Sequence, residues 1–396
     1  MNNQKEQEME EFICKDVCLL NPVPLLTAPE ESFLLAEVRL PIAESIQKAL
    51  EQRINQAVYP YEGNTEKVQR AISDWYKIRH GLLLHHDVLI EVSGVMHGIS
   101  LLLHILANPA DGVLIQPPVY HKFSKAIRAA GRKLYESPLC KVNGNYTLNI
   151  KEIEQQLLQK NIKVILLCNP HNPIGRVWKR EELEALVEIA NKYDVIIISD
   201  EIFSDIVYSG HKFNSLMAIA PKQHISMIGS PSKAFGLHSI SNGYIYTENS
   251  TILEKTKKNI ESQLFNSVNA FTACATIAAY RHGESWLDEF LIHLEKNIAW
   301  ITAFLREKLP VIEMAPIEGT YVIWLDFSKT GFSKQTLHKL LQQAKIELAP
   351  GDWFGGASNM CMRMNIAVSL DKIQDAFMRL ERVVIDQEKT KLLVEQ

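Results

Sequence analysis

The stretch SMIGSPSKAFGLHSISNGYIY, residues 226–246, contains an apolar run that ends abruptly in small residues. One lysine, Lys233, follows Pro-Ser and precedes Ala-Phe-Gly at this point. A lone lysine after a buried strand is usually a solvated residue of a surface turn. The alternative is an amine held in a pocket, where it can attack a carbonyl group. The ends of the other apolar runs decide between these two interpretations.

The composition is that of an ordinary globular protein. Its 396 residues are 46% hydrophobic and 22% charged, which predicts a sizeable core and two domains. A formal net charge of −4 gives no indication of nucleic-acid binding. The polar, acidic N-terminus is unlike a signal peptide, and no apolar run approaches the ~20 residues of a membrane span. We therefore expect a chain that binds neither nucleic acid nor membrane.

The cysteines and histidines indicate neither disulfides nor a metal site. Six cysteines are scattered along the chain without a Cys-x-x-Cys pair, which is typical of reduced thiols in a cytoplasmic protein. The thirteen histidines show no His-x-x-x-His or His-Glu-x-x-His spacing. We expect a cytoplasmic protein without a bound metal.

Apolar runs alternate with helical patterns through the middle of the chain. DVLIEV (87–92) precedes a helical pattern at 94–106, and KVILLCNP (163–170) precedes another at 179–193. The runs GVLIQPP, DVIIISDE and HISMIGS continue the alternation. Uninterrupted apolar runs are typical of strands covered on both faces, and strand–helix alternation predicts an α/β fold with a mostly parallel sheet.

We assign this large α/β domain to residues 45–285. Later patterns of helix and strand predict a smaller α+β domain over residues 286–396. Residues 1–44 are interpreted as an N-terminal arm that contributes to the small domain.

Small or polar residues follow five of the predicted strands, and ligands bind at the carboxyl ends of such strands. The first strand is followed by Ser-Gly and the start of a helix, a natural site for an anion. The others are followed by Tyr120, Asn172, Asp200 and Lys233. Taken singly, each also fits a structural role: a turn, aromatic packing, a rigid Pro-containing loop or a helix cap.

Together these strand ends offer an anion cradle, an aromatic face, an amide, a carboxylate and an amine. Pyridoxal 5′-phosphate (PLP) has matching groups: a phosphate, a flat ring, a phenolic oxygen, a ring nitrogen and an aldehyde that lysine captures. The set therefore favours PLP as the cofactor.

The strings CNPHNPIGRVW, SDEIFSD, SPSKAFGL, GTYVIWLDF and CMRMNIAVSL resemble the fold type I PLP-dependent enzymes, the aspartate aminotransferase superfamily. The sequence is most similar to the cystathionine β-lyase and cysteine-S-conjugate β-lyase group, over residues 40 to 384. The resemblance implies a large domain with a seven-stranded type of sheet and a smaller α+β C-terminal domain.

The resemblance also implies roles for the strand-end residues. Lys233 would form the Schiff base with the cofactor and then move the Cα proton. Asp200 would pair with the ring nitrogen, Asn172 would donate to the phenolic oxygen, and Tyr120 would stack on the ring. Lys233, Asp200 and Tyr120 are thus the candidate catalytic residues.

Phosphate and substrate contacts follow from the same resemblance. The phosphate would be held by two hydroxyls and two backbone amides, those of Ser230 and Ser232 and those of Val95 and Met96. Tyr61 matches the tyrosine that reaches the cofactor of the other subunit, which implies a homodimer with shared sites. Arg363 matches the arginine that binds the substrate α-carboxylate, near Asn172 and Tyr61.

Three departures from the family pattern concern the site. Ser241 stands where many fold type I enzymes carry a phosphate-binding arginine, as uncharged residues often do in the β-lyase group. Phe203 replaces a common tyrosine or histidine, which removes one hydrogen bond near the ring oxygen. AEVRL (36–40) replaces an ADMDF-like string, and Arg39 within it either meets an acidic substrate group or faces solvent.

The expected function is PLP-dependent carbon–sulfur β-lysis. L-cystathionine or a cysteine S-conjugate would be cleaved to a thiol, pyruvate and ammonia through a Lys233 Schiff base. The alternative is a class I/II aminotransferase that moves an amino group from an L-amino acid to a 2-oxo acid. A PLP-binding regulatory protein is disfavoured, because the N-terminus is too short and acidic for a DNA-binding domain.

Overall fold

In the computed structural model, the apolar runs of the sequence form strands of the central sheet. The structure describes residues 32–60, 65–142, 144–240, 242–263 and 269–394, with side chains as far as residue 387. The strands are β1 (Leu89–Val92), β2 (Gly112–Ile115), β3 (Lys133–Glu136), β4 (Cys140–Val142), β5 (Asn145–Thr147), β6 (Ile162–Cys168), β7 (Ile196–Asp200), β8 (Ile225–Gly229), β9 (Gly243–Tyr246), β10 (Glu313–Met314), β11 (Val322–Asp326), β12 (Ala349–Pro350) and β13 (Cys361–Asn365).

Helices lie between most of these strands. They are α1 (Glu44–Asn55), α2 (Thr65–His80), α3 (Val95–Leu106), α4 (Lys122–Ala129), α5 (Ile150–Gln159), α6 (Arg180–Lys192), α7 (Ser232–Phe235), α8 (Ser250–Ser262), α9 (Ala270–His282), α10 (Glu284–Lys308), α11 (Lys334–Gln343) and α12 (Leu370–Val394). Short 3₁₀ turns lie at His86–Val88, Leu216–Ala218, Lys222–His224, Ser328–Thr330 and Gly351–Phe354. None of the described helices is both long and apolar enough to cross a membrane.

The large sheet has seven strands in the order β1-β9-β8-β7-β6-β2-β3. Neighbours pair in parallel from β8 through β7, β6 and β2 to β3. Strand β9 runs antiparallel to both of its neighbours, β1 and β8. The predicted mostly parallel α/β sheet is confirmed, and the antiparallel insertion of β9 was not predicted.

Alternate side chains of the central strands build two apolar layers, one on each face of the sheet. In β6, Val164 and Leu166 join the layer that includes α3, whereas Ile165 and Leu167 join the layer that includes α6. All four side chains are fully buried. Full burial of one such side chain contributes about 1.5–3 kcal/mol, so the period-two pattern of these strands strongly favours this sheet.

A second, antiparallel sheet lies in the C-terminal part, in the order β10-β11-β13-β12. Helix α10 packs against α12 beside it. Residues 33–396 form one compact unit, and the boundaries proposed near residues 44 and 285 stay a prediction.

Arg176 joins the loop after β6 to the C-terminal part of the chain. Its Nε donates to Glu318 Oε2 at 2.9 Å, its Nη2 to Glu182 Oε2 at 2.7 Å and its Nη1 to the Tyr146 carbonyl at 2.7 Å. The backbone amide of Glu318 also donates to the carbonyl of Gly175 at 2.8 Å. The guanidinium is buried, so these contacts fix the position of the loop that carries Asn172.

We expect Arg176→Ala to lower the free energy of unfolding by about 3 kcal/mol, because it leaves two largely buried carboxylates without their partner. Urea unfolding of the cofactor-free protein measures the change. Arg180→Ala is the matched control, since its pair with Glu184 is exposed and should contribute less than about 0.5 kcal/mol. Equal, small effects of both substitutions would contradict this account of the loop.

Candidate active site

A cavity of about 450 Å³ lies at the carboxyl ends of the parallel strands. That volume is in the range of small-molecule sites. Of the predicted site residues, nine line it: Val95, Met96, Tyr120, Asn172, Asp200, Ser230, Ser232, Lys233 and Arg363. The structure thus brings together residues that are up to 268 positions apart in the chain, from Val95 to Arg363. Tyr61 and Ser241 lie outside the described residues.

Lys233 lies in the short helix α7, which Gly236 ends in the left-handed conformation at φ 70°. Its Nζ donates to the carbonyl of Ala36 at 2.5 Å and lies 5.9 Å from the ring centre of Phe203. Burial and the nearby Arg363 guanidinium lower the pKa of Lys233 to about 8. A substantial fraction of the amine is therefore neutral near physiological pH, as a nucleophile requires.

Two adjacent buried carboxylates, Asp200 and Glu201, have different surroundings. Glu201 accepts from the hydroxyls of Ser199 and Ser215 and from the Leu216 amide, at 2.8 to 3.0 Å. Asp200 lines the cavity, and among the described residues its carboxylate accepts one hydrogen bond, from the Ile202 amide. Glu201 is thus an internal anchor, whereas Asp200 is left for a ligand.

Desolvation opposes ionisation of Asp200 and raises its pKa to about 7. Burial raises the pKa of Glu201 to about 7 as well, against the effect of its hydrogen bonds. A cationic or protonated ligand nitrogen beside Asp200 would favour its ionised form.

Asn172 and Arg363 are in direct contact at the same edge. Arg363 Nη1 donates to Asn172 Oδ1 at 3.2 Å, and Nη2 donates to the Leu34 carbonyl at 2.6 Å. The guanidinium carbon lies 5.0 Å from the ring centre of Phe354. Burial lowers the pKa of Arg363 to about 10, so this side chain stays cationic at neutral pH.

Tyr120 contributes an aromatic surface to the cavity wall. Its ring meets those of His121 and Phe123 edge-on, with centroids 5.1 and 5.6 Å away. Burial and the Asp200 carboxylate raise the pKa of Tyr120 to about 12, so its phenol keeps its proton at neutral pH.

The first turn of α3 forms an anion cradle together with two serines. No side chain caps the helix at Gly94, which leaves the backbone amides that follow without a side-chain acceptor. The hydroxyl oxygens of Ser230 and Ser232 lie 3.1 Å apart and line the same cavity. Gly243 permits this arrangement, because a Cβ there would come within 2.9 Å of the Val95 nitrogen.

Asn242 supports the cradle and was not predicted. Its carbonyl accepts from Ser230 Oγ at 2.6 Å, its Nδ2 donates to Glu91 Oε2 at 3.1 Å, and its Oδ1 accepts from Thr276 Oγ1 at 3.0 Å. Each polar group of the Asn242 side chain is therefore used to hold the strand end beside the serines.

The segment at residues 34–39 forms another wall of the cavity. It does not follow a predicted strand, so the pattern of strand ends could not predict its position. Leu35, Ala36 and Glu37 line the cavity. Arg39 does not reach solvent freely: its Nε donates to Glu37 Oε1 at 3.0 Å, and its side chain is 17% exposed. His238, also unpredicted, lines the cavity beside this segment.

This fold and this cavity are those of a known family. Residues 32–380 match the sequence pattern described as aminotransferase class I and II, and the chain belongs to that family. It is similar to cystathionine beta-lyase PatB of Bacillus subtilis (strain 168), with 32% identity over 350 residues, 88% of this chain and 90% of the relative.

Two solved structures resemble it over nearly their whole length. One is a PLP-bound putative aminotransferase from Clostridium difficile 630, with a TM-score of 0.86 and 32% identity over 89% of this chain and 92% of that one. The other is cystalysin from Treponema denticola, which contains pyridoxal 5′-phosphate, with a TM-score of 0.87 and 28% identity over 93% of each chain.

We expect Asp200→Asn to stabilise the cofactor-free protein above about pH 7. The folded pKa of Asp200 is raised, so the wild-type protein loses stability as pH rises from about 4 to about 7, whereas asparagine does not titrate. The difference should approach about 4 kcal/mol, at 1.36 kcal/mol per pKa unit, and vanish near pH 4.

Urea unfolding between pH 4 and pH 8 measures this difference. Asp194→Asn is the control, because the Asp194 side chain is 95% exposed. If Asp200→Asn has the same small effect on the free energy of unfolding at every pH, the pKa of Asp200 is not raised in the folded protein.

Proposed function

We propose that this chain binds pyridoxal 5′-phosphate and cleaves the carbon–sulfur bond of L-cystathionine or a cysteine S-conjugate, releasing a thiol, pyruvate and ammonia. The observation that carries the proposal is the buried Lys233 amine, with its pKa lowered to about 8, in one cavity with the under-bonded Asp200. The similarity to a protein named cystathionine beta-lyase supports the choice of reaction.

The residues of the cavity fit the cofactor group by group. The uncapped start of α3 and the two serine hydroxyls suit a phosphate. The Asp200 carboxylate, which accepts one hydrogen bond within the described chain, suits a protonated ring nitrogen. Tyr120 offers an aromatic face, Asn172 an amide, and Lys233 an amine for the aldehyde.

PLP, when bound, withdraws electrons from the Cα of an amino acid and so makes its proton acidic. Lys233 then takes the Cα proton, for which an amine with a pKa near the working pH is suited. Arg363 binds the α-carboxylate with guanidinium N–H groups that its contacts to Asn172 and Leu34 do not use. Asp200 would hold the protonated ring nitrogen of the cofactor, which would in turn favour the ionised form of its carboxylate.

A second candidate is an aminotransferase acting on an L-amino acid and a 2-oxo acid. The family description and the likeness to the putative aminotransferase from Clostridium difficile 630 favour it. The same residues serve both reactions. They diverge when a leaving group on Cβ departs before Lys233 returns the proton, so the product identifies the reaction.

We also propose a homodimer with shared active sites. Ile54, Val58 and Tyr59 expose more than half of their side chains on and just after α1, directly before Tyr61. Exposed apolar groups clustered in this way suit an interface with a second copy of the chain.

A cytoplasmic location is proposed from the thiols. Within the described residues, Cys140, Cys168 and Cys361 form no disulfide, which suits a reducing compartment.

The purified PLP-loaded protein should release pyruvate and free thiol from L-cystathionine or S-alkyl cysteines without an added 2-oxo acid. Lys233→Ala should reduce this rate by at least about 10²-fold, because it removes the amine that takes the Cα proton. Lys258→Ala, which alters an exposed residue paired with Glu254, should leave it unchanged.

A lactate dehydrogenase assay for pyruvate and a thiol reagent read the two products. Absence of both, with amino-group loss only when a 2-oxo acid is present, would replace the lyase by the aminotransferase. Absence of any reaction by either assay, from a folded and PLP-loaded protein, would reject both.

Mixing two inactive variants tests the shared site. In an equimolar mixture of Lys233→Ala and Tyr61→Phe subunits, half of the dimers are mixed and each has one intact site. The mixture should thus recover about a quarter of the wild-type activity. Mixing Lys233→Ala with Asp200→Asn is the control, because both residues line the cavity of one chain and no intact site can form. Equal activity of the two mixtures would place Tyr61 in its own subunit's site.

A further inference from the structure

The segment Leu34–Arg39, here called the crossing segment, runs along the cavity between the C-terminal sheet and α7. On the sheet side, Asn365 Nδ2 donates to the Glu37 carbonyl at 2.7 Å, and the Arg39 amide donates to the Ala367 carbonyl at 2.9 Å. These bonds hold the crossing segment to the end of β13.

On the opposite side, two side chains reach the crossing segment from the stretch that begins with α7. Lys233 Nζ donates to the carbonyl of Ala36 at 2.5 Å, and the Val38 amide donates to His238 Nε2 at 2.9 Å. Tyr321 OH also donates to the Ala36 carbonyl, at 3.2 Å, but Tyr321 lies directly before β11 in the C-terminal sheet.

The bond from Val38 defines the tautomer of His238. A backbone amide can only donate, so Nε2 of His238 accepts and carries no proton, and the proton of the neutral ring is on Nδ1. Burial and the Lys233 charge lower the pKa of His238 to about 3, which keeps the ring neutral at physiological pH. Within the described residues, His238 Nδ1 has no hydrogen-bond partner. It is also not one of the fully buried polar atoms that lack a partner.

The Lys233 contact and the His238 contact differ in whether they persist when Lys233 reacts. If Lys233 captures a carbonyl ligand, as the proposed function requires, its Nζ leaves the Ala36 carbonyl. Of these two contacts, the bond from the Val38 amide to His238 is then the one that still joins the crossing segment to the stretch beginning with α7.

We propose that His238 is a positioning residue that keeps the crossing segment in place over the cavity when Lys233 is engaged. Leu35 and Glu37 lie in this segment and line the cavity, so His238 determines where they meet the substrate side chain. The contact between His238 and Val38 in the cofactor-free chain is a matter of geometry alone. The role of His238 during catalysis rests on the proposed function.

Hydrogen exchange of the cofactor-free protein tests the contact. His238→Leu keeps the apolar volume and removes the acceptor, so exchange of the Val38 amide should accelerate about tenfold or more. The amides of Phe33 and Arg39, which donate to backbone carbonyls, should keep their protection and serve as internal references. His238→Gln, whose Oε1 can accept the same bond, should restore protection in part.

His104→Leu is the matched control, because His104 is exposed on α3 and outside the cavity lining. It should leave Val38 exchange unchanged. Unchanged Val38 protection in a folded His238→Leu variant would overturn the proposal.

Addition of PLP provides the second readout. In the wild type, protection of Val38 should persist after Lys233 is engaged, whereas in His238→Leu the loss of protection should extend to the Glu37 amide, which donates to the Leu35 carbonyl. With substrate, His238→Leu should raise KM more than it lowers kcat. An equal loss of both parameters, with Val38 protected as in the wild type, would show that His238 does not position the segment.

If His238→Leu does not fold, nitrogen NMR of histidine-labelled wild-type protein decides. The proposal requires a neutral ring protonated at Nδ1 from pH 5 to pH 8, and protonation at Nε2 would reject it. A failed substrate assay combined with the expected exchange pattern would reject the proposed function and leave the role of His238 intact.

Discussion

Burial of the central strands on both faces is the constraint on which the site depends. The apolar side chains of β6, β7 and β8 lie in one or other of the two apolar layers, so a charged group among them would lose its hydration without compensation. Polar groups can be accommodated where the strands end and the backbone turns. Because four neighbouring strand pairs are parallel, their ends meet at one edge, and the chemistry is concentrated there.

The same constraint explains what the sequence could predict. Lys233, Asp200 and Asn172 follow apolar runs that are visible in the sequence, so their meeting at one edge follows from the parallel topology. The strand pattern alone could not distinguish Asp200 from Glu201, because the difference is in hydrogen bonds donated by Ser199, Ser215 and Leu216; the family resemblance indicated Asp200.

Two supporting residues escaped prediction for a related reason. His238 accepts from a backbone amide, and Asn242 accepts a serine hydroxyl at its backbone carbonyl. Since every residue type except proline offers the same backbone groups, no residue pattern signals such a contact. The antiparallel β9, which carries Gly243 to the start of α3, was missed because its apolar run is only four residues long.

Three charged groups of the cavity are less stable in their ionised forms than they are in water: Asp200, Lys233 and Arg363. Burial raises the pKa of Asp200 and lowers those of Lys233 and Arg363. An anionic ligand with a protonatable nitrogen compensates all three, so the free energy that these groups cost the fold is recovered on binding. Ligand binding should accordingly raise the free energy of unfolding of the protein above the value that interior packing alone provides.

The contact between Arg363 and Asn172 has a consequence for recognition. An amide side chain has one accepting end and one donating end, and a guanidinium can only donate. The Arg363 contact at Oδ1 therefore fixes which way the Asn172 amide is turned, and the Nδ2 end is the one left for the cavity. The Nδ2 end therefore offers a hydrogen-bond donor to the cavity, which an accepting ligand atom, such as an oxygen without its proton, satisfies and a group that can only donate does not.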